Sequence, residues 1–320
     1  MDSNELATKV EEAYQRIKDQ IRDTPLEFSP AFSVSGKNKV FLKLENIQHS
    51  GSFKVRGALN KLLSLTEEER KKGVITASTG NHGLAIAYAL SLLNANGTIY
   101  LPEKASPLKL KKLKYYPVKL EISGNDSGVT ESIARKEAKE QNLPYVSPYN
   151  DPDIIAGQGT IGIELTQKLD HIDHVFITIG GGGLISGISA LLKSKIPSVK
   201  IHGCQPENSP VMYESVKAGK VIEMESKDTL SDGSAGGMDL DTITFPLVQE
   251  LVDDFMLVSE EEIRNAIKLV FENHNLVIEG AAGVAVASYL KMKEQFKGNV
   301  VIIICGGNIS NDVFLDIVTN

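Results

Sequence analysis

The sequence predicts an α/β fold in which a mostly parallel sheet is covered by helices. Short apolar runs alternate with amphipathic segments along most of the 320 residues, a pattern typical of βαβ units. The apolar runs carry few charges, as strands buried on both faces do. Several of them end in turns of glycine and small polar residues that lead directly into helical patterns. The length favours about two domains.

The elements follow one another in a regular order. The strands are predicted at 39–45, 73–78, 96–103, 118–124, 174–179, 199–205 and 299–305. Helical spacing of apolar residues begins near 1, 57, 82, 106, 130, 184 and 260. Ser259 and Glu262 form a Ser-x-x-Glu cap before the last of these helices. Segment 206–245 is rich in Gly, Ser, Asp and Pro, and we expect an irregular surface with some function or a structureless linker.

Composition excludes several classes of protein. The net charge of −7 argues against nucleic-acid binding, which needs a basic surface. The longest apolar runs, such as 300–305, are too short to span a membrane, and the first residues show no apolar signal core. Cys204 and Cys305 do not make a disulfide framework. We therefore expect a cytoplasmic protein that acts on a small molecule.

A run of glycines follows the apolar strand 174–179 and precedes a helix. Main-chain N–H groups with no Cβ in the way can surround an anion, and the helix N-terminus adds partial positive charge. A Walker loop needs a Gly-Lys pair that is missing here, and the third glycine of a dinucleotide fingerprint is replaced by Ile185 or Ser186. One phosphate monoester fits better than a plain tight turn. Its ligands would be Gly180, Gly181, Gly182 and Gly183.

Three other turns carry polar groups at predicted strand-to-helix junctions. STGNHG (78–83) can bind an anion or simply cap a helix. Glu279, in VIEGAAG, is either a buried acid that needs partners or an acid favoured by the helix dipole. Cys305, in CGGN, stands where parallel sheets collect ligands, although an isolated cysteine is more often a small buried hydrophobe.

Two further catalytic classes find no support. HIDH (171–174) places two histidines three residues apart but supplies no third metal ligand. The sequence also contains no Gly-x-Ser-x-Gly elbow that would anchor a hydrolase triad.

A lysine lies in the turn GSFKVRG (51–57), at the junction between a strand and a helix. The helix dipole at this position disfavours the protonated amine, which makes Lys54 a better nucleophile and base. One explanation accounts for a lysine, a cradle for one phosphate and a neutral polar group at a strand end. Lys54 forms a Schiff base with an aldehyde cofactor that carries one phosphate, and that cofactor is pyridoxal phosphate.

Five segments resemble the serine/threonine dehydratase and serine racemase family, whose members are tryptophan-synthase-β-like, fold-type II pyridoxal phosphate enzymes. In family order they are KLENIQHSGSFKVRGA (43–58), ASTGNHG (77–83), IAGQGTIGIEL (155–165), GGGGLISG (180–187) and ICGGN (304–308). The resemblance implies two domains with twisted, mostly parallel sheets covered by helices. Residues 1–76 and 148–320 would form the large cofactor domain, and residues 77–147 a small domain that closes over substrate.

The resemblance also implies roles for single residues. Lys54 would bind the cofactor covalently and move the Cα proton, and Phe53 would lie against the cofactor ring. Asn81 would bind the phenolic oxygen, and Cys305 would face the pyridine nitrogen and leave it neutral. The substrate carboxylate would be received by Ser78, Thr79, Asn81 and His82.

The implied activity is a dehydratase, or ammonia-lyase, that converts L-threonine, L-serine or a bulkier hydroxy amino acid into a 2-oxo acid and ammonia. The alternative is a serine racemase with side dehydratase activity, because Thr79 stands where racemases have the serine that reprotonates Cα. The racemases' divalent-cation site is doubtful here, since Gln205 and Val211 replace its acids. A monovalent cation held by carbonyls near Gly233 and Ala235 stays open. The resemblance implies a homodimer.

Overall fold

The computed structural model describes residues 1–105 and 107–320, so Ser106, where a helix was predicted to begin, lies outside the described residues. Two sheets organise the described chain. Their strands are β1 (Leu26–Ser29), β2 (Asn38–Leu44), β3 (Val74–Ala77), β4 (Gly97–Leu101), β5 (Lys119–Ile122), β6 (His174–Thr178), β7 (Lys200–Pro206), β8 (Asp254–Val258) and β9 (Gly298–Ile304).

Helices connect the strands and cover the sheets. They are α1 (Ser3–Ile17), α2 (Lys54–Ser64), α3 (Glu67–Lys72), α4 (Asn81–Leu92), α5 (Pro107–Leu113), α6 (Ser127–Glu140), α7 (Pro152–Lys168), α8 (Gly183–Lys195), α9 (Val211–Ala218), α10 (Thr244–Leu251), α11 (Glu260–His274), α12 (Gly280–Met292) and α13 (Asn311–Thr319). The predicted capping box of α11 is confirmed, because Ser259 and Glu262 exchange their hydrogen bonds.

The larger sheet has six strands in the order β1-β2-β9-β6-β7-β8. Its strands pair in parallel except β1, which runs antiparallel to β2. The predicted mostly parallel α/β fold is therefore confirmed. The centre of the sheet is β9, where residues 300–304 are fully buried, as their continuous apolar sequence predicts.

The smaller sheet has three parallel strands in the order β3-β4-β5. It begins at Val74, three residues before the predicted domain boundary at residue 77. The helices α4 and α6 pack against it. The domain boundaries themselves stay a prediction.

The segment that follows β7 departs from the sequence prediction. Segment 206–245 was predicted to be irregular, yet it contains the helix α9. The side chain of Gln205 explains how α9 is held, because its Oε1 accepts a hydrogen bond from the Tyr213 N–H and its Nε2 donates to the Ile179 carbonyl. Within the described residues, no helix is long and apolar enough to cross a membrane.

Glycines bring the helix that carries Lys54 close to the centre of the molecule. A Cβ added at Gly157 of α7 would lie 2.6 Å from Cα of Gly57 in α2, and one added at Gly187 of α8 would lie 2.3 Å from the Ile155 carbonyl oxygen. Side chains at these positions would force the helices apart. The helices α2, α7 and α8 therefore pack backbone to backbone, which fixes Lys54 relative to the glycine loop.

A buried group of four charged side chains also fastens α2. This sealed charge cluster consists of Lys43 and Glu45, from β2 and the residue that follows it, Arg56 of α2 and Glu164 of α7. None of the four is more than 1% exposed. Arg56 donates to both carboxylates at 2.6 to 2.9 Å, and Lys43 binds Glu164 and the Thr24 carbonyl.

Candidate active site

A cavity of about 190 Å³ opens at the carboxyl ends of β6 and β9, where parallel sheets commonly bind ligands. β6 leads into the glycine loop and β9 leads into Cys305. Lys54 and Phe53 enter the same cavity from the start of α2. The structure therefore brings the predicted lysine, the predicted cradle and the predicted thiol together.

The shape of the glycine loop depends on the absence of side chains. A Cβ added at Gly181 would lie 2.4 Å from the ring of Tyr149. Gly182 has a φ of +85°, a left-handed conformation that favours glycine, and Gly183 is the first residue of α8. The loop thus points main-chain groups and a helix N-terminus into the cavity, which suits an anion such as a phosphate.

Lys54 is the first residue of α2, and its Nζ donates to the carbonyl oxygen of Pro148 at 2.7 Å. Burial lowers its pKa to about 8, although the nearby Cys305 and Glu279 act in the opposite direction. The helix dipole, from which the sequence predicts this effect, is not the main cause in the structure, which is the loss of water around the amine. Near neutral pH, part of the Lys54 population therefore carries the free amine, which can act as a nucleophile or a base.

Cys305 lies 3% exposed at the end of β9. Burial raises the pKa of its thiol well above the ordinary value, and the charge of Glu279 adds to the effect. The thiol is therefore protonated and neutral at physiological pH. Its main-chain carbonyl accepts a hydrogen bond from the Phe53 N–H at 3.0 Å, which ties the start of α2 to β9.

Glu279 precedes α12 but does not cap it with its side chain. Its two carboxylate oxygens instead accept from Nδ2 of Asn81, at 2.8 and 3.0 Å, and Oε2 also accepts from the Asn308 N–H. Asn308 Nδ2 completes the group by donating to Asn81 Oδ1 at 2.8 Å. We call Glu279, Asn81 and Asn308 the cavity carboxylate cluster. Burial raises the pKa of Glu279.

Asn308 is the last residue of the CGGN motif, and the sequence alone does not predict a role for it. The signal that could have found it is an amide side chain two glycines after a buried strand, beside a predicted ligand position. Its partner Glu279 is 29 residues away in sequence.

The STGNHG turn lines a second, larger space of about 510 Å³ that Lys54, Asn81 and Glu279 also border. Ser78 and Thr79 both lie on this surface. Leu84 N–H donates to the Gly80 carbonyl in the first turn of α4, so the earlier N–H groups of that turn have no helical partner. These N–H groups lie at the N-terminus of α4, where the helix dipole favours an anion.

The side chain of His82, which is predicted to receive the substrate carboxylate, contacts other protein groups in this structure. Its Nε2 lies 3.1 Å from both Thr76 Oγ1 and the Val146 carbonyl oxygen, so the ring is anchored inside the smaller sheet. Burial lowers its pKa to about 3, and the charge of Lys54 contributes. The ring is neutral. The group that His82 offers to a ligand is its main-chain N–H in the first turn of α4.

One ion pair lines this larger space, and a second lies beside it, next to the lining residue Glu131. Lys109 of α5 binds Asp232 at 2.9 Å, and Arg135 of α6 binds Asp239 at 3.0 Å. Asp239 also accepts from Asn150 Nδ2 at 2.9 Å. These pairs join helices of the smaller sheet to the loop 231–239 of the rest of the chain.

The described residues contain no group of three His, Cys, Asp or Glu side chains placed to hold a metal ion. In HIDH, His171 pairs with Asp173, whereas His174 contacts His202 at 2.9 Å. Gly233 and Ala235 line the cavity, and a cation held by their carbonyls stays a prediction.

The comparisons with known proteins agree with this geometry. Residues 17–306 match the family described as "Pyridoxal-phosphate dependent enzyme". The chain belongs to this family. It is 40% identical to the L-threonine ammonia-lyase of Thermotoga maritima, over 94% of this chain and 75% of that protein. It is 39% identical to the catabolic L-threonine dehydratase of Escherichia coli K12, over 93% of this chain and 91% of that protein.

Solved structures show the same fold. The processed threonine deaminase isoform 2 of Solanum lycopersicum superposes with a TM-score of 0.93 at 32% identity, covering 100% of this chain and 89% of that one. Maize serine racemase superposes with a TM-score of 0.90 at 31% identity, covering 97% and 95%. The predicted fold-type II family is therefore confirmed, and pyridoxal phosphate is the family's cofactor.

Proposed function

We propose that this protein is a pyridoxal-phosphate-dependent ammonia-lyase that converts a β-hydroxy amino acid such as L-threonine or L-serine into a 2-oxo acid and ammonia. The observation that carries the proposal is the position of Lys54. Its amine, with a pKa lowered to about 8, borders the glycine cradle and the larger space together. The threonine ammonia-lyase and dehydratase relatives support the choice of reaction.

The residues fit the cofactor. The glycine loop leaves a cradle that side chains would fill, and we propose that it holds the phosphate. We propose that Lys54 holds the aldehyde carbon, Phe53 lies against the ring, Asn81 binds the phenolic oxygen and Cys305 meets the pyridine nitrogen as a neutral thiol. When bound, pyridoxal phosphate supplies an electron sink for the electron pair left at Cα.

The first turn of α4 is the proposed receptor for the substrate carboxylate. It offers the side chains of Ser78, Thr79 and Asn81 and the main-chain N–H of His82, at the positive end of a helix. Such a clamp would orient the Cα–H bond towards the amine of Lys54.

The reaction that we propose is an elimination. The neutral amine of Lys54 takes the Cα proton, the Cα–H electron pair forms the Cα–Cβ double bond, and the Cβ–O bond breaks. The departing hydroxyl takes up a proton and leaves as water. The released enamine tautomerises and is hydrolysed by one water to the 2-oxo acid and ammonia.

A racemase is the second candidate, because Thr79 and Lys54 border the same space. A hydroxyl there could return a proton to Cα from the side away from Lys54. The structural likeness to maize serine racemase supports this alternative.

One incubation separates the two candidates. The enzyme is mixed with L-serine, and pyruvate and D-serine are quantified in the same sample, with L-threonine and 2-oxobutyrate in parallel. A 2-oxo acid without D-serine supports the lyase. D-serine in equal or greater amount would make the racemase the main activity, and absence of both products would refute both candidates.

We further propose three properties that the family resemblance implies. Residues 77–147 form the domain that closes over substrate, and the protein is a homodimer, which sedimentation would test. The protein acts in the cytoplasm, where the two buried free cysteines would stay reduced.

A further inference from the structure

The hydrogen bonds of the cavity carboxylate cluster give Asn81 one orientation. A side-chain amide can be turned by half a rotation, which exchanges its donor and its acceptor. Here the nitrogen faces both oxygens of Glu279, and the oxygen faces the amide nitrogen of Asn308. Asn308 is itself fixed, since its Nδ2 also donates to the Ser50 carbonyl at 2.8 Å. Reversing Asn81 would place donor against donor at Asn308.

The backbone leaves the carboxylate little freedom. Glu279 is 5% exposed, and its N–H donates to the Gly306 carbonyl at 3.1 Å. A Cβ added at Gly306 would lie 2.5 Å from Oε1 of Glu279, and one added at Gly280 would lie 1.9 Å from the Leu230 carbonyl oxygen. The carboxylate therefore lies close against Gly306, which follows β9, and the main chain at Gly280 packs against Leu230.

A purely structural role explains this arrangement poorly. Glu279 does not use its side chain to cap α12, and its carboxylate bonds are to the uncharged groups of Asn81 and Asn308. Burying an anion among uncharged groups is costly. A glutamine would cost less, but its NH₂ group would face the amide nitrogen of Asn81 in either orientation, because both oxygens of Glu279 accept from that nitrogen.

We propose that Glu279 is a positioning residue that holds the amide of Asn81 with its nitrogen towards Glu279 and its oxygen towards Asn308. Asn81 then presents a donor, and not an acceptor, to the phenolic oxygen of pyridoxal phosphate. The proposal rests on the proposed function for the role of Asn81. It adds that Glu279, acting through Asn81, determines that Asn81 donates a hydrogen bond to the phenolic oxygen and does not accept one.

The first test is Glu279→Gln, studied as apoenzyme and holoenzyme. Whatever way the new amide turns, one donor of Asn81 or Asn308 meets its NH₂ group, so Asn81 loses its fixed orientation. We expect the Kd for pyridoxal phosphate to rise roughly tenfold, which corresponds to about 1.4 kcal/mol, and the absorption band of the bound cofactor to shift. Glu262→Gln, a change of the same kind at the start of α11, is the matched control and should leave both unchanged.

The second test distinguishes positioning from structural support. In the double variant Glu279→Gln with Asn81→Asp, the glutamine NH₂ can donate to the new carboxylate, which can still accept from Asn308, while the glutamine oxygen accepts from the Asn308 N–H. Three of the four hydrogen bonds of the cluster are formed again, the contact of residue 81 with the Oε2 position is lost, and residue 81 can no longer donate. We expect the unfolding midpoint of the double variant to return most of the way from the Glu279→Gln value to the wild-type value, while the cofactor band and Kd stay altered.

Two outcomes would overturn the proposal. One is a Glu279→Gln holoenzyme with the wild-type band and Kd. The other is a double variant that recovers both the midpoint and the cofactor properties, because the role of Glu279 would then be structural. Failure of the proposed function appears separately, as a wild-type enzyme that binds pyridoxal phosphate but releases neither a 2-oxo acid nor a racemised product.

Discussion

The sealed charge cluster and the cavity carboxylate cluster are both buried, yet they differ in how their charges are balanced. The sealed cluster pairs two cations with two anions through direct hydrogen bonds. Although burial opposes ionisation, the contacts with Arg56, Lys43 and Thr24 together outweigh it and lower the pKa of Glu45. In the cavity cluster, the one carboxylate is bonded to amide groups, and burial raises its pKa.

The difference indicates two separate tasks. Charges that satisfy one another inside the protein can fasten elements but cannot act on a ligand. The sealed cluster accordingly joins α2 to β2 and α7, only two residues from Lys54. The cavity cluster borders open space and can act on what binds there. Buried charges that are paired inside the protein and charged groups that border the cavity should therefore respond differently when they are changed.

The largest effect should come from removing one charge of the sealed cluster. Arg56→Met leaves two buried carboxylates with Lys43 as their remaining cation, and we expect the free energy of unfolding to fall by about 3–5 kcal/mol. Urea unfolding measures the loss. The control is Lys72→Met, which breaks the exposed pair with Glu68 and should cost less than about 1 kcal/mol. Equal losses in the two variants would contradict the fastening role.

An intermediate effect is expected from pH on the capture of pyridoxal phosphate by the apoenzyme. Burial lowers the pKa of Lys54 to about 8, and only the neutral amine attacks an aldehyde. The rate of capture should therefore rise about tenfold per pH unit below pH 8 and level off above it. Rapid-mixing absorbance measures the rate, and Lys54→Ala supplies the baseline. If the rate continued to rise up to pH 10.5, the ordinary pKa of a lysine amine, burial would not control the pKa of Lys54.

The smallest effect should come from the ion pair between Arg135 and Asp239, beside the larger space. Asp239→Asn weakens the partly exposed pair with Arg135, so the free energy of unfolding should fall by only about 0.2–1 kcal/mol. If the pair helps to hold the cavity closed, KM should rise roughly threefold with kcat little changed. Asp316→Asn, which weakens the exposed pair with Arg264, is the control for steady-state kinetics. The same KM in both variants would show that the pair between Arg135 and Asp239 does not contribute to substrate binding.

The parts of the site that the sequence predicted are those set by local order along the chain. Gly182 needs a left-handed conformation beside an apolar strand, and Lys54 begins a helix, so both could be located from neighbouring residues. The contact between Glu279 and Asn308 could not, because it depends on how β9 and α12 are placed in space. The ring of His82 turned inwards because Thr76 and the Val146 carbonyl bind it there.

The fold shows the same division. The alternation of apolar runs predicted the parallel strands, since both faces of each are buried. It did not predict β1, whose four residues LEFS carry little apolar pattern and pair antiparallel at the edge of the sheet. It also missed α9, because a composition rich in Gly, Ser and Pro outweighed the helical spacing of VMYESVKA.

The two sides of the cavity are built from different parts of the chain. Around the glycine loop the walls are main chain, and added side chains would collide with Tyr149 or Ser234. Across from it, the walls are the side chains of the 78–82 turn, α5 and α6. Inherited mutations on the first side would mostly abolish cofactor binding, whereas those on the second side can alter which amino acid is accepted. Divergence of substrate preference among descendants of this gene should therefore concentrate on the second side.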